Sequence, residues 1–313
     1  MKRIAYIFPG QGSQEVGMGQ EMYENYPQVK ELFDAADEAL GYSLTSLMFE
    51  GPAEELTKTE NAQPALLLNS VAIAKVLEEE GVTPAMTAGH SLGEYSALVS
   101  AGALDAIDAV KLVHTRGKLM EEAYPTGLGA MAAVLGLEKE EIERVLAKMD
   151  QDQPVDLANI NCPGQIVIAG TSDGVKQASE QLQEAGAKRV LPLNVSGPFH
   201  SRLMKPASES FSNSLAKTVL HDAKIPVYAN VSAEAVTDAS KIQSLLVEQL
   251  YSPVRFQEIL EQFVEEDIEA IVEVGHGKVL SGLVRKVKRR MKTFAIGDPE
   301  SAASFLEWYK EDS

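Results

Sequence analysis

Residues 89–93 read Gly-His-Ser-Leu-Gly and fit the pattern G-x-S-x-G. In enzymes with this pattern the serine lies on a sharp strand-to-helix turn, where glycines remove side chains that would clash. A short apolar stretch precedes Ser91, and residues with helical spacing follow it. The setting predicts Ser91 as a nucleophile and the N–H of Leu92 as one half of an oxyanion hole. The alternative is an inert serine in a helix-start turn.

A serine hydroxyl needs a base to act as a nucleophile at neutral pH. The chain has five histidines: His90, His114, His200, His221 and His276. His200 is the best candidate by position, because it lies where the chain leaves a predicted small domain, and clefts form at domain junctions. His276, in a predicted strand-to-helix turn, is the weaker alternative. Between Ser91 and His200 no acid is convincingly placed to orient the imidazole, and a backbone carbonyl could hold the ring instead.

Composition limits the class of protein. The 313 residues are 45% hydrophobic, which is typical of a globular protein with a sizeable core. No apolar run is long enough to span a membrane, and the apolar stretch Ile4–Phe8 is too short for a signal peptide. The single cysteine, Cys162, excludes an internal disulfide and argues against a cysteine-based metal cluster. A cytoplasmic location and a structural role for Cys162 are therefore expected.

The net charge of −18 disfavours binding to nucleic acid or to anionic membranes. Two basic stretches stand out against it, the pair Lys188 and Arg189 and the run 285–292. Such runs are usually solvated helix faces. On an acidic protein they are also candidate docking points for a smaller acidic partner.

The chain alternates predicted strands and helices, which indicates an α/β fold with a parallel sheet covered on both faces. A Gly-rich polar loop follows the first strand, Ile4–Phe8, and Asn61 is a plausible helix cap. The other strands expected in this part are 86–88, 227–229 and 268–274. The expected helices are 27–40, 62–80, 92–102, 105–123, 200–219, 239–250, 255–266 and 277–290.

The middle of the chain has a different order of predicted strands and helices. Its predicted strands are 130–135, 155–160, 165–169 and 187–191, its helices are 138–149 and 173–185, and residues 161–164 form a turn. The order βαββαβ is typical of a ferredoxin-like unit. The chain is therefore predicted to form one large domain from residues 1–127 and 198–313, with a small domain, 128–197, inserted into it.

Several linked motifs resemble the malonyl-CoA:acyl carrier protein transacylase family. They are IFPGQGSQ at 7–14, NAQPAL at 61–66, GHSLGEYSAL at 89–98, the segment around Arg116, NCPGQIVIAG at 161–170, GPFHS at 197–201 and VEQLYSPVRF at 247–256. The resemblance covers essentially the whole chain. It implies an α/β-hydrolase-like large domain with a ferredoxin-like insertion. It also implies ping-pong transfer of malonyl from coenzyme A to the phosphopantetheine thiol of acyl carrier protein, for fatty acid biosynthesis, without a metal or cofactor.

Matched motif by motif, the resemblance assigns further roles. It makes Ser91 the acyl acceptor and His200 the base. It implies that Gln11 supplies the second oxyanion N–H and that the Gln249 carbonyl holds His200. It also implies that Arg116 pairs with the malonyl carboxylate, since a guanidinium fork can hold both oxygens.

The resemblance also bears on selectivity and docking. A phenylalanine at the position of Phe199 accompanies malonyl selection in related polyketide synthase domains. The preceding residues, Gly197 and Pro198, depart from the usual pattern of those domains, which weakens this inference. Lys188 and Arg189 match a basic pair proposed to meet the acidic carrier protein.

Two other functions use the same residues. A serine hydrolase or thioesterase would use Ser91 and His200 with a water molecule, and would favour a third, acidic residue. In a binding module Ser91 would be inert. Incubation with malonyl-CoA distinguishes the three functions. A transferase should form a stable malonyl adduct, a hydrolase should release free malonate, and a binding module should leave the protein unchanged.

Overall fold

A computed structural model describes residues 2–125 and 127–311. Its strands are β1 (Ile4–Phe8), β2 (Met86–Gly89), β3 (Gly129–Leu135), β4 (Val155–Cys162), β5 (Gln165–Thr171), β6 (Arg189–Pro192), β7 (Val227–Tyr228), β8 (Ala235–Val236), β9 (Ala270–Val274) and β10 (Thr293–Ile296). They form two sheets, a six-stranded sheet in the order β10-β9-β1-β2-β7-β8 and a four-stranded sheet in the order β4-β5-β3-β6.

The helices surround these sheets. They are α1 (Gln20–Asn25), α2 (Pro27–Leu40), α3 (Leu44–Glu50), α4 (Ala53–Thr57), α5 (Thr59–Glu79), α6 (Gly93–Ser100), α7 (Ala106–Glu122), α8 (Lys139–Leu146), α9 (Ser172–Glu184), α10 (Pro206–Leu215), α11 (Ala239–Gln249), α12 (Phe256–Glu265), α13 (Val279–Val287) and α14 (Pro299–Lys310). A short 3-10 helix, Arg202–Met204, precedes α10.

The larger sheet is parallel except for its edge pair, β7 and β8. Strand β1 shows how both faces are covered. Ile4, Tyr6 and Phe8 pack into one apolar cluster, and Ala5 and Ile7 pack into another on the opposite face. This period of two is what a strand with two buried faces requires, and it confirms the predicted α/β architecture.

The smaller sheet is antiparallel throughout, with β3 paired to β5 and β6, and β4 paired to β5. Helices α8 and α9 cover one face, over a separate apolar cluster. The order of strands and helices confirms the predicted ferredoxin-like unit. Strand β4 is joined to the large part of the chain by an isolated parallel bridge to the segment between α11 and α12, where Val254 donates to the carbonyl of Ala158 and accepts from the N–H of Ile160, both at 2.8 Å. We propose residues 128–197 as the inserted domain and 1–127 with 198–313 as the large one.

Three local predictions were wrong. The helix predicted from 62 begins at Thr59, and Asn61 lies inside it, where its amide bonds Tyr42 and Glu55 instead of capping. The turn predicted at 161–164 is only two residues long, because β4 continues to Cys162, which pairs with Gln165. The third is the helix predicted at 200–219.

The helix predicted at 200–219 is instead the 3-10 turn followed by α10. His200 has φ of 60°, which no right-handed helix contains, and Pro206 fits the first turn of the helix that follows. Six further elements were not predicted from the sequence, namely α1, α3, α4, β8, β10 and α14. Four of these are six residues or fewer, too short for hydrophobic periodicity to be read.

Candidate active site

Ser91 lies on the turn between β2 and α6, with φ of 50°. Two glycines make this turn possible. A Cβ on Gly89 would lie 1.9 Å from the backbone of Gly93, and a Cβ on Gly93 would lie 2.1 Å from the carbonyl oxygen of Phe8. No side chain fits at either position, which is the physical reason for the spacing of G-x-S-x-G in this chain.

Two buried amide side chains hold the strained backbone of this turn. Asn230 Oδ1 accepts from the N–H of Ser91 at 2.8 Å, and Asn230 Nδ2 donates to the carbonyl of Gly89 at 2.7 Å. Gln249 Nε2 donates to the carbonyl of Ser91 at 3.1 Å. Because a non-glycine residue at positive φ is disfavoured, such contacts are needed to keep it there.

His200 is the imidazole next to Ser91. Its Nε2 lies 2.8 Å from Ser91 Oγ, and its Nδ1 lies 2.8 Å from the carbonyl oxygen of Gln249. A carbonyl oxygen only accepts, so Nδ1 carries the proton and donates. Nε2 therefore presents a lone pair, to which the Ser91 hydroxyl donates. This is the arrangement that general-base activation of a serine requires.

The environment keeps His200 neutral. The side chain is buried, and burial lowers the pKa of His200 to about 3, with the positive charge of Arg116 as the next cause. Both effects disfavour the imidazolium ion. A neutral imidazole is the form that can accept the serine proton.

The loop that carries His200 is held by a hydrogen bond within itself and by contacts with the small sheet. Ser201 Oγ donates to the carbonyl of Pro198 at 2.6 Å. Arg202 pairs with Asp156 of β4 through its backbone N–H and its guanidinium, at 2.5–3.0 Å. This forked contact fixes the loop against the small sheet and so fixes the direction of the imidazole.

Arg116 is completely buried on α7 and contacts the nucleophile. Its Nη2 donates to Ser91 Oγ at 3.2 Å and to Gln249 Oε1 at 2.8 Å, and its Nη1 donates to Gln63 Oε1 at 2.8 Å. The guanidinium also lies over the ring of Tyr95, 5.2 Å from its centroid. Burial lowers the pKa of Arg116, but a guanidinium stays charged in proteins.

No carboxylate in the described part of the chain forms an ion pair with Arg116. Its Nε has no hydrogen-bond partner among the same residues. Buried charges are normally paired, since desolvating an unpaired ion is costly. The site therefore holds a buried cation with unused capacity for an anion.

Glu94 is the buried carboxyl group that belongs to this network. Its Oε2 accepts from Gln249 Nε2 at 2.6 Å and from the N–H of Asn230 at 3.1 Å. Burial raises the pKa of Glu94 to about 7, while these two donors and the charge of Arg116 act in the opposite direction. The network thus connects Glu94 to Arg116 through a single amide.

A cavity of about 140 Å³ opens onto Ser91 and His200. Its remaining lining residues are Gln11, Gly12, Gln14, Thr57, His90, Met120, Met131, Asn159, Leu193, Asn194, Val195 and Phe199. Arg116 lies behind Ser91 and is not among them. Neither the N–H of Gln11 nor that of Leu92 donates to another residue within 2–125 and 127–311. Both are thus available for an oxyanion, but their roles remain predictions.

Comparisons with known proteins agree with this geometry. Residues 5–303 match the family model described as the acyl transferase domain. The chain belongs to the acyl transferase family. A malonyl CoA-acyl carrier protein transacylase of Bacillus subtilis (strain 168) is 55% identical over 314 residues, covering 100% of this chain and 99% of that protein.

Solved structures give the same result. An acyl carrier protein S-malonyltransferase from Vibrio cholerae has a TM-score of 0.95 and 47% identity, covering 97% of this chain and 99% of its own. A malonyl-transacylase in complex with its type II PKS acyl-carrier protein has a TM-score of 0.95 and 44% identity, over 97% and 99% of the two chains. These matches confirm the resemblance to transacylases that the motifs suggested.

Three of the other four histidines of this acyl transferase have side-chain partners other than Ser91. His90 donates from Nε2 to Asn161 Oδ1 at 2.7 Å, His114 Nδ1 lies 2.8 Å from the carbonyl of Glu60, and His276 lies 3.1 Å from a carboxylate oxygen of Glu15. Burial raises the pKa of the Cys162 thiol, which opposes a nucleophilic role.

The predicted docking residues of the acyl transferase are exposed. Lys188 precedes β6 and Arg189 begins it, and β6 is an edge strand of the small sheet. Leu191 and Leu193 on the same segment are also exposed, and Leu193 lines the cavity. The segment 188–193 therefore carries exposed basic and apolar side chains, and its last residue lines the cavity.

Sequence reasoning missed Glu94 and Asn230. Glu94 lies one helical turn after Ser91, and Asn230 lies just past the carboxyl end of β7, the strand beside β2. Ligands of parallel sheets bind outside the carboxyl ends of strands, so a polar residue at such a position indicates a candidate site residue.

Among the described residues, this acyl transferase has no helix with the length and apolar character that a membrane span requires.

Proposed function

We propose that this acyl transferase moves the malonyl group of malonyl-CoA to the phosphopantetheine thiol of acyl carrier protein, through a malonyl ester on Ser91. The observation that carries the proposal is the buried guanidinium of Arg116, which has no carboxylate ion pair in the described chain and lies 3.2 Å from Ser91 Oγ. A cation at this distance from the nucleophile favours a short acyl group that ends in a carboxylate.

Two sets of relatives support the choice of substrates. Proteins 55% and 47% identical over nearly the full chain are named malonyl CoA-acyl carrier protein transacylases. One neighbour is described in complex with its acyl-carrier protein. We extend both the donor and the acceptor to this chain, and with them a place in fatty acid biosynthesis and a cytoplasmic location.

In the first half-reaction His200 Nε2 takes the proton of Ser91 Oγ as the oxygen attacks the thioester carbonyl. The carbonyl oxygen becomes an oxyanion, for which the N–H groups of Leu92 and Gln11 are the proposed donors. The C–S bond then breaks, the imidazolium returns its proton to the departing sulfur, and malonyl-Ser91 remains. The carbonyl of Gln249 holds the Nδ1 proton throughout.

In the second half-reaction the carrier thiol enters the cavity. His200 accepts its proton, the sulfur attacks the ester carbonyl, and the same N–H groups stabilise the oxyanion. The C–O bond to Ser91 breaks and the proton returns to Oγ. Arg116 holds the malonyl carboxylate in both steps, so the acyl group keeps its position while the two thiols exchange.

The surface beside the cavity suits an acidic carrier. Lys188 and Arg189 are exposed, in a chain whose net charge is −18. Local positive charge is what lets an acidic protein approach another. Leu193, four residues after Arg189, lines the cavity, so a carrier on this segment is near the entrance that its arm would use.

Intact-mass measurement with malonyl-CoA tests the proposal. The wild type should gain one malonyl group, Ser91→Ala should gain none, and Ser210→Ala, which removes an exposed serine of α10, should gain it normally. Added carrier protein should remove the group from the wild type. Release of free malonate without transfer would indicate a hydrolase, and an unchanged mass would indicate a binding module.

A further inference from the structure

The side chain of Gln249 has one possible orientation. Its Nε2 faces three oxygens, those of Glu94, Ser91 and Asn230, at 2.6, 3.1 and 3.2 Å. Its Oε1 faces the donor Nη2 of Arg116 at 2.8 Å. A flipped amide would point its oxygen at three acceptors and its NH₂ group at a cation, so the network itself assigns the two atoms.

Gln249 connects three parts of the site. Its carbonyl accepts from His200, its Oε1 accepts from Arg116, and its Nε2 supports the backbone of Ser91. Anything that fixes this residue therefore fixes the base, the cation and the nucleophile together. The shortest of the four hydrogen-bond contacts that its amide makes is the 2.6 Å bond to Glu94.

Glu94 is itself held. It lies in α6, one turn after the nucleophile, and the N–H of Asn230 donates to the same oxygen, Oε2, at 3.1 Å. It contacts neither the cavity nor Ser91 Oγ. Glu94 therefore does not touch a substrate in the cavity, and its direct hydrogen bond to a side chain within the site is to Gln249.

We propose that Glu94 is a positioning residue which, through the Gln249 amide, sets the direction of Arg116 and His200 and thereby the preference for malonyl over acetyl groups. The inference rests on the proposed function. Without the Glu94 oxygen, the Gln249 amide can rotate, its oxygen leaves Arg116, and the guanidinium loses one of its three side-chain acceptors. Malonyl transfer should then suffer more than acetyl transfer, because only malonyl has a carboxylate for Arg116.

The test compares Glu94→Met, which nearly keeps the side-chain volume, with Glu94→Gln, which retains an oxygen acceptor. We expect Glu94→Met to lower kcat/KM for acetyl-CoA moderately and to lower the malonyl-to-acetyl ratio by roughly 5- to 150-fold, the effect of leaving a buried polar group unpaired. Glu94→Gln should restore most of that ratio. Equal losses for both substrates in Glu94→Met, or no rescue by Gln, would overturn the proposal.

A matched control is Glu273→Gln. Glu273 is also buried, and it accepts from the N–H groups of Leu280 and Ser281 on the far side of β9 from this network. Its replacement should lower the melting temperature without changing the malonyl-to-acetyl ratio. A shift of the ratio in this variant would show that the ratio reports general destabilisation, and the proposal would fail.

A double-mutant cycle tests the route through Gln249. In Gln249→Ala the backbone carbonyl remains but the amide is absent, so adding Glu94→Met should change the ratio little further. An additive further loss would mean that Glu94 acts by another path. Malonyl loading of the wild type, measured by intact mass, is checked first, so that failure of the proposed function is distinguished from failure of this inference.

Discussion

Arg116 Nη2 donates to Ser91 Oγ at 3.2 Å, so one guanidinium contacts the attacking oxygen itself. In a malonyl thioester a single methylene separates the carboxylate from the carbonyl that Ser91 would attack. A carboxylate held by Arg116 therefore leaves the carbonyl within reach of Oγ. The contact explains why a short acyl group with a terminal carboxylate suits this site.

Arg116→Ala should lose malonyl transfer far more than acetyl transfer. Truncating one member of a buried charge pair typically costs about 2–5 kcal/mol, or roughly 30- to several-thousand-fold. Activity on acetyl-CoA should persist or increase, because a desolvated cation no longer lies behind the serine. The measurement is the ratio of kcat/KM for malonyl-CoA to that for acetyl-CoA.

Two further variants sharpen this prediction. Arg116→Lys should recover only part of the malonyl activity, since an ammonium cannot form the two-pronged contact. Arg144→Ala, which removes an exposed arginine paired with Glu141, is the control and should leave the ratio unchanged. Equal losses on both substrates in Arg116→Ala would mean that another residue binds the carboxylate.

His200→Ala should lower the rate of Ser91 acylation by roughly 10²- to 10⁴-fold, the usual contribution of a general base. The melting temperature should stay near that of the wild type. His276→Ala should acylate normally, because His276 lies against Glu15 at the surface and not beside Ser91. Rapid-quench measurement of malonyl-enzyme formation checks both variants, and normal acylation of His200→Ala would place the base elsewhere.

The pH profile should reflect the depressed pKa of His200. Burial and the charge of Arg116 lower it to about 3, so the imidazole should stay neutral well below its ordinary pKa of about 6.5. Removing the Arg116 charge should raise the pKa of His200. The acid limb of kcat/KM for acetyl-CoA should therefore lie at higher pH in Arg116→Ala than in the wild type. An unshifted or downward-shifted limb would contradict the assignment.

Charge reversal tests carrier docking. The double variant Lys188→Glu, Arg189→Glu should raise KM for acyl carrier protein and leave acylation by malonyl-CoA nearly unchanged. Added salt should weaken carrier binding in the wild type more than in the variant. Arg285→Glu, Lys286→Glu is the matched control on α13. A larger effect on KM for the carrier in this control would move the docking surface there.

Much of the fold could be predicted because the signals are local. The apolar run Ile4–Phe8, which predicts a buried strand, and the βαββαβ order each follow from short stretches of sequence. The errors have local causes too. Asn61 looked like a cap, but tertiary contacts with Tyr42 and Glu55 use its amide inside α5. His200 looked helical because the pattern does not reveal its positive φ.

The site was predictable only in part. Ser91 lies in a recognisable sequence motif, and His200 lies where the chain leaves the βαββαβ segment, which is also recognisable. Glu94 and Asn230 carry no such signal, because their importance depends on β7 lying beside β2 and on the end of α11 reaching the same point. Strand order in a parallel sheet is set by long-range packing, which hydrophobic periodicity does not encode.

Because the pKa of Glu94 is raised in the folded protein, the free energy of unfolding should depend on pH. Its pKa rises from 4.5 to about 7 on folding, mainly through burial, so between these values the folded state binds more protons than the unfolded state. Stability from this group is present at low pH and is lost as pH rises through about 7. The glutamine in Glu94→Gln does not titrate, so this variant should not show the pH-dependent loss of stability.

The free energy of unfolding of Glu94→Gln, relative to that of the wild type, should therefore increase as pH rises from 4.5 to about 7 and then level off. At 1.36 kcal/mol for each unit of pKa difference, the increase is on the order of 3 kcal/mol. Urea unfolding of both proteins at several pH values measures it. A difference that stays constant, or that decreases with pH, would mean that Glu94 is ionised in the folded protein across this range. The carboxylate would then be a fixed countercharge to Arg116, 2.6 Å from the Gln249 amide that links them.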